Sequence, residues 1–508
     1  MLPQSLGIPI VVVCVALFAA AYRFARGGGS RTRAALICIL LAGALLRLFA
    51  CGDQFLHEWD ERYHALVAKN TIDSPLRPTL YKTALLDYDY RDFFSNHVWV
   101  HKPPLTLWLM AISIKTFGVH ELAVRLPSLL FGTLAIALTF FLGKRLFDER
   151  VALLAAGLHA INGLLLELGA GRTATDHPDA LMIFFVTLGA YSAVRAAEPA
   201  HTRARGIAWL AALGICTGLA ILTKWMVAMI IPALWVVLAW RTISARRFVT
   251  SLAIVLGAAA AVALPWNLYI WRAFPREAAW ESHYNLLHVL EPLGGHGQPA
   301  WWYLRRIGRD FGEAIYIPVA WFLIARAARG LGRRWIFLLV WFLTPYAVFS
   351  ISATKMPGYV AISSSALFLI IALFCAHVTA AARNAAPPPR AKFVRLAATL
   401  LLVLALGLPA RYAIERLRLS PKRERTRVWA DELRALDARY PDPRAVFFNC
   451  ERPIEAMFYG SHIAYARVPT AAEIASLEAQ GYRAVVLESG VGGAARATSS
   501  SGPPASTE

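Results

Sequence analysis

GIPIVVVCVALFAAAYRFAR, residues 7–26, decides the class of this protein. Residues 7–22 are apolar throughout, close to the ~20 residues that a helix needs to cross a hydrocarbon core. No basic residue precedes them and Arg23 and Arg26 follow, the reverse of a secretory signal, so the segment reads as a retained first span. The pattern recurs near 34–50, 125–146, 151–168, 179–196, 206–222, 225–240, 249–270, 314–328, 335–351, 359–380 and 393–410. Of 508 residues 57% are hydrophobic and only 17% charged, which fits an α-helical polytopic membrane protein with about twelve spans.

The loops between these segments alternate in charge. One set carries Arg23, Arg26, Arg31 and Arg33, then Lys144, Arg145 and Arg150, then Arg195, Arg203 and Arg205, with further arginines at 241–247, 326–334 and 383–395; its acids are Asp148, Glu149 and Glu198. The positive-inside rule puts this set in the cytoplasm. Loops 51–124, 169–178, 223–224, 271–313 and 352–358, with the tail from 411, then face outward, to the periplasm of a bacterial inner membrane. This alternation requires that 103–118, PPLTLWLMAISIKTFG, lies in the interface rather than crossing, as its length and paired prolines suggest. The net charge of +20 is accounted for by these short loops, so no nucleic-acid partner is expected. Six cysteines without CxxC spacing indicate neither a disulfide framework nor a zinc site.

From 411 the composition turns charged, and short β-rich runs such as AVFFN alternate with helical patterns such as TAAEIASLEAQGY. The expectation is a transmembrane domain over 1–410, a small C-terminal α/β periplasmic domain over 411–490, and a low-complexity, disordered tail over 491–508. The basic run Arg411, Arg416, Arg418, Lys422, Arg423, Arg425 and Arg427 breaks the charge rule on the outer side, either to attract an anionic lipid or as a solvated helix face.

The costly polar residues gather outward: Asp60, Glu61, His64, His101, Lys102, Asp176, His177, Lys224, His283, His288 and Lys355, with nine of the thirteen histidines. One-sided clustering points to a functional cavity. A secondary transporter would place ionisable groups near span centres and often show inverted repeats, and neither is evident here.

In order, WDERYHALVAKN (59–70), HKPPLTLWLMAISIKTFG (101–118), ELAVRLPSLLFGTLAIALTFFLGKRLF (121–147), GRTATDHPDALMIFF (171–185), HGQPAWWYL (296–304) and KMPGYV (355–360) resemble the signatures of polyprenyl-phosphate-dependent glycosyltransferases. The resemblance is to the C-type (GT-C) membrane fold, in the branch holding the aminoarabinose transferases and, more distantly, the protein O-mannosyltransferases. It implies a polyprenyl-phosphate sugar donor and a glycolipid or protein acceptor reached among membrane lipids, without nucleotide or redox cofactor.

Such a donor brings its own leaving group, so the chain needs a base for the acceptor hydroxyl and cations for the departing phosphate. The resemblance implies Asp60 as the base, with Glu61 beside it and Asp176 as a second acid that can also cap the following span. Lys102, stiffened by Pro103 and Pro104, is the expected phosphate cation, joined by Lys355. His283 matches a family histidine of a metal or phosphate site. The aminoarabinose transferases carry Glu where this chain has His101. Either His101 ligates a divalent metal ion with His283 or His64, or the metal is lost and His101 donates to phosphate.

Overall fold

The computed structural model describes residues 3–198, 202–329, 332–385, 390–419 and 425–488. Lys422, Arg423 and the tail 491–508 lie outside these residues. Among those described, nine helices are long and apolar enough to cross a membrane, or ten if one bent pair counts as a single span. In chain order the helices are α1 (Gly7–Ala25), α2 (Ser30–Ala50), α3 (Asp60–Thr71), α4 (Pro104–Phe117), α5 (Glu121–Leu146), α6 (Glu149–Ile161), α7 (Gly163–Gly169), α8 (His177–Ala197), α9 (Arg203–Lys224), α10 (Ile230–Ala239), α11 (Ala245–Ala273), α12 (Pro275–Leu290), α13 (Trp302–Phe311), α14 (Tyr316–Arg329), α15 (Arg333–Ile351), α16 (Ser364–Arg383) and α17 (Arg390–Leu417). The fold is that of an α-helical polytopic membrane protein.

Two features depart from a reading of apolar runs alone. The run 151–168 bends by 53° between α6 and α7. Asn162 sits at the break, its Oδ1 accepting from the Leu165 amide and its Nδ2 donating to the Asp310 carbonyl at 2.9 Å. A side chain that caps a new helix competes with continuation of the old one. The second feature is the run 203–239, which would be ~55 Å long if it were one straight helix. Instead Trp225 takes φ 59° and a 3-10 turn follows over Trp225–Met229. Lys224 on α9 pairs with Asp179 near the start of α8, while Gly189, further along α8, packs against Ile231 on α10. The chain has therefore turned back, as the tight turn expected at 223–224 requires.

α4 begins on Pro103 and Pro104 and stops at Gly118, whose φ of 96° ends the helix. Its 14 residues reach ~21 Å, short of a ~30 Å hydrocarbon core. α14 is likewise short. In the bundle interior α16 is enclosed on most sides. Ser365 on α16 shares hydroxyl contacts of 3.0 Å with Thr139 on α5 and Thr187 on α8, and Thr139 meets His159 on α6 at 2.9 Å. Four helices are pinned by one satisfied polar cluster where lipid-like packing supplies little directionality.

By contacts the chain divides into two units, 1–80 with 88–425, and 81–87 with 426–508. The second holds a parallel three-stranded sheet of β1 (Ala445–Phe448), β2 (Ile463–Ala464) and β3 (Arg483–Val486) in the order β2-β1-β3, joined by helices Pro453–Tyr459 and Ala471–Ala479. A capping box at Thr470 and Glu473 starts the latter helix. The first-loop segment 81–87 belongs to this unit: Tyr81 stacks on Tyr465 at 5.1 Å and donates to the Ala464 carbonyl, and Leu85 packs with Val446, Phe448 and Leu477. α17 runs on to Leu417, past the boundary expected at 410.

The basic run at the end of α17 is partly structural. Arg416 pairs with Glu167 at 2.6 Å and Asp310 at 3.5 Å, and Arg425 lies 3.9 Å from the Phe49 ring centre. Arg411, by contrast, is exposed and pairs with Glu415.

Candidate functional site

Trp59, Asp60 and Glu61 grade from surface to interior within three residues. Trp59 is 53% exposed, Asp60 is intermediate and Glu61 is fully buried. The two acids open α3, where negative charge complements the unpaired amides of the first turn. From there their roles diverge.

Glu61 is held on both oxygens. Arg125 of α5 reaches Oε1 at 2.6 Å and Oε2 at 2.9 Å, His57 reaches Oε2 at 2.6 Å, and His177 meets Oε1 at 3.2 Å. Arg125 also donates to the carbonyls of Cys51, Asp53 and Phe55. Burial raises the Glu61 carboxyl, but the Arg125 guanidinium and the His57 and His177 contacts more than reverse this and hold it well below its ordinary value. A carboxylate so saturated anchors α3 and the 51–57 loop to α5 and α8, and has no oxygen left to take a substrate proton. Gly171, at φ 71°, lies so close that a Cβ would overlap the Glu61 carboxylate. Gly171→Ala is therefore expected to cost about 1–3 kcal/mol from backbone strain alone, read as a lowered thermal midpoint in detergent; an unchanged midpoint would mean that the turn adapts.

Asp60 meets Lys102, Oδ2 to Nζ at 3.6 Å, with 21% and 28% of the two side chains exposed. Burial opposes the charged form of each. For Asp60 the positive charges of Lys102, His64 and Lys224 prevail and lower its carboxyl; for Lys102 the carboxylates of Asp60, Glu281, Asp179 and Asp176 prevail and raise its ammonium. The pair stays ionised across ordinary pH. Lys102 also borders a small, open hollow walled by Trp225, Trp266, Ile270, Trp271 and Glu281. An ammonium at the edge of an aromatic recess can hold the phosphate of a lipid whose chain lies along the wall.

Asp176 caps α8 through the His177 amide, and its Oδ1 lies 3.2 Å from His64 Nδ1. Both groups are buried, and Asp176 Oδ2 and His64 Nε2 have no hydrogen-bond partner among the described residues. Thr175 just before takes φ 57°, a strained setting for a β-branched residue. One turn on, buried Asp179 pairs with Lys224, whose ammonium lies 4.8 Å from the Tyr359 ring centre. Gly358 admits no Cβ against Asp179 and Thr175. Buried polar atoms left open beside strained backbone mark a place prepared for polar contacts from elsewhere.

The remaining expected residues do not converge. His101 is buried, with Nδ1 2.6 Å from Glu281 of α12 and Nε2 2.8 Å from Asn96. His283 is exposed beside Trp280, and His64 faces Asp176. Among the described residues no three His, Cys, Asp or Glu side chains gather as a metal site, so the expected trio of His101, His283 and His64 does not fit a shared ion. Lys355, its ammonium lowered by burial, donates to the carbonyls of Gln298 and Ser352 and clamps the 291–298 loop, so the hydrogen bonds it makes go to backbone carbonyls.

Sequence reasoning passed over three partners, Asp179, Glu281 and Arg125, and gave Lys224 no role beyond its place in the outward cluster. Asp179 follows Asp176 by three residues, one helical turn, a spacing that was available as a signal. Glu281 restores a carboxylate beside His101 from 180 residues away, and no local pattern announces that.

Residues 101–271 match the family profile described as dolichyl-phosphate-mannose-protein mannosyltransferase. Over 230 residues, 42% of this chain and 39% of the relative, the chain is 29% identical to the undecaprenyl phosphate-alpha-4-amino-4-deoxy-L-arabinose arabinosyl transferase of Pseudomonas aeruginosa. It is 28% identical to a putative mannosyltransferase of Bacillus subtilis, covering 52% of this chain and 36% of that one. The chain thus spans about two fifths of the length of the curated relatives it matches. The fold extends further. The crystal structure of ArnT from Cupriavidus metallidurans bound to undecaprenyl phosphate superposes with a TM-score of 0.61 at 17% identity, over 88% of this chain and 89% of that one. The archaeal oligosaccharyltransferase AglB from Archaeoglobus fulgidus, in complex with an inhibitory peptide and a dolichol-phosphate, gives 0.58 at 17% identity, over 85% and 64%. Matched segment and superposition agree: residues 101–271 are similar to the mannosyltransferase profile, and the fold of the chain is similar to that of ArnT and AglB.

Proposed function

We propose that this chain is a membrane glycosyltransferase that moves a sugar from a polyprenyl-phosphate donor to an acceptor on the outer face of a bacterial inner membrane, with lipid A, lipopolysaccharide or another surface glycolipid as the acceptor. The observation that carries the reading is the Asp60–Lys102 pair at the edge of the aromatic hollow. Lys102 holds the donor phosphate and meets the charge that develops as the bond from the anomeric carbon to the phosphate oxygen breaks. Asp60 takes the proton from the acceptor hydroxyl as its oxygen bonds to that carbon. The leaving phosphate departs as an anion and needs no strong acid. Asp176, Asp179 and Lys224 lie in the same electrostatic neighbourhood and supply polar contacts for the transferred sugar. The outward orientation rests on the charge alternation of the loops.

The arabinosyl transferase relatives and ArnT, by their descriptions, support an undecaprenyl-phosphate donor. The family profile, by its description, favours a protein hydroxyl as the second reading. Both are tested together. Membranes containing the protein are supplied with undecaprenyl-phosphate sugars, and lipids and proteins are searched by mass spectrometry for a sugar increment. Lys102→Ala is expected to reduce the increment by ~100-fold or more, with partial recovery in Lys102→Arg. Full transfer by Lys102→Ala would remove the phosphate role, and an increment on protein alone would replace the glycolipid by the second reading.

A further inference from the structure

Trp59 exposes 53% of its surface immediately before the residue given the base role, and the proposed mechanism does not use it. Its ring lies 6.0 Å from that of His296, with the planes inclined by 51°. His296 is itself positioned: its carbonyl accepts from the Lys355 amide, and the loop is held at Leu293, Glu291 and Gln298 by Thr354 and Lys355. The same loop continues from α12, which carries Glu281, the partner of His101. Trp59 directly precedes Asp60, so the paired rings stand next to the residue given the base role. Trp225, Trp266 and Trp271 line the hollow on the Lys102 side.

We propose that Trp59, supported by His296, is a stacking platform for the acceptor, and that the acceptor therefore presents its hydroxyl on a carbohydrate ring; this rests on the glycosyl-transfer reading. A pyranose or furanose carries a patch of axial C–H groups on one face. Laid on an indole, that patch leaves water and meets the negative face of the ring, while the hydroxyls at the sugar edge stay free for Asp60. A serine or threonine in a peptide has no such face. A tryptophan that merely settles at headgroup level would gain nothing from a second ring fixed against it by a clamped loop.

The test uses the full-length protein in membranes with a fixed undecaprenyl-phosphate sugar and a purified glycolipid acceptor, varying each in turn. Trp59→Ala and His296→Ala are expected to raise the acceptor KM, by about 10-fold for the tryptophan, with kcat and donor KM close to wild type. Trp59→Phe restores most of the loss and Trp59→Leu does not, which separates stacking from membrane anchoring. Equal recovery by leucine, or an unchanged acceptor KM in Trp59→Ala, overturns the platform. Absence of transfer by the wild-type protein would instead overturn the glycosyl-transfer reading itself, so the two failures are distinct.

Discussion

Asp60→Asn is expected to lower turnover by about 100- to 10,000-fold, the range for removing a positioned general base, while leaving the fold intact. The asparagine keeps the shape and still meets Lys102, but it cannot accept the acceptor's proton. Its effect on stability is expected to stay within about 1 kcal/mol, because the pair is partly exposed and screened. The pH profile carries the sign. Lys102, His64 and Lys224 lower the Asp60 carboxyl below its ordinary 3.8, so the base form is present throughout the neutral range and is lost only as pH falls through the lowered folded value. The stabilisation from the pair is likewise present above the unfolded value and disappears in that same acid window. The acid limb of kcat/KM in the wild-type protein should accordingly fall below 3.8. A limb with its midpoint near neutrality would assign the proton transfer to an imidazole, and near-normal turnover in Asp60→Asn would remove Asp60 from the chemistry.

One residue along, the expected outcome is of a different kind. Arg125→Met leaves Glu61 buried without its guanidinium, and breaking one partner out of a buried ion pair typically costs about 3–5 kcal/mol. The protein is expected to be recovered in low yield and to melt early in detergent. The carbonyls of Cys51, Asp53 and Phe55 lose their donor as well, so the 51–57 loop should become susceptible to proteolysis. The double variant Arg125→Met with Glu61→Leu should recover part of the loss, because neither charge is then stranded. Thermal midpoints of the wild type, the two single variants and the double variant give the coupling. A stable Arg125→Met protein that cannot transfer sugar would show instead that Glu61 takes part in the reaction.

The membrane class was readable because runs of some twenty apolar residues and the side bias of Lys and Arg follow directly from the physics of the bilayer. What interrupted those runs was written in single residues: Asn162 as a cap within 151–168, and Trp225 at a left-handed turn within 203–239. Asp60, Lys102 and Asp176 stood out since charge beside a span is costly and seldom idle. Their assignment differed in kind from that of Glu61, which the sequence shows as Asp60's neighbour and the structure shows as an anchor. His101 was legible as a departure, and its partner Glu281 was not, because pairing across separate helices depends on tertiary placement. The 81–87 segment escaped notice for a similar reason, having no periodicity of its own.

That segment also bears on how the molecule can be assembled and rearranged. Tyr81 and Leu85 leave the ribosome long before the strands they pack against, so the C-terminal sheet cannot complete its core until the last part of the chain has emerged. A cut near residue 425 would not release an autonomous module but would strand a few early residues without their hydrophobic neighbours. A recombinant that keeps this core must therefore exchange two distant pieces at once, the C-terminal unit and the segment 81–87.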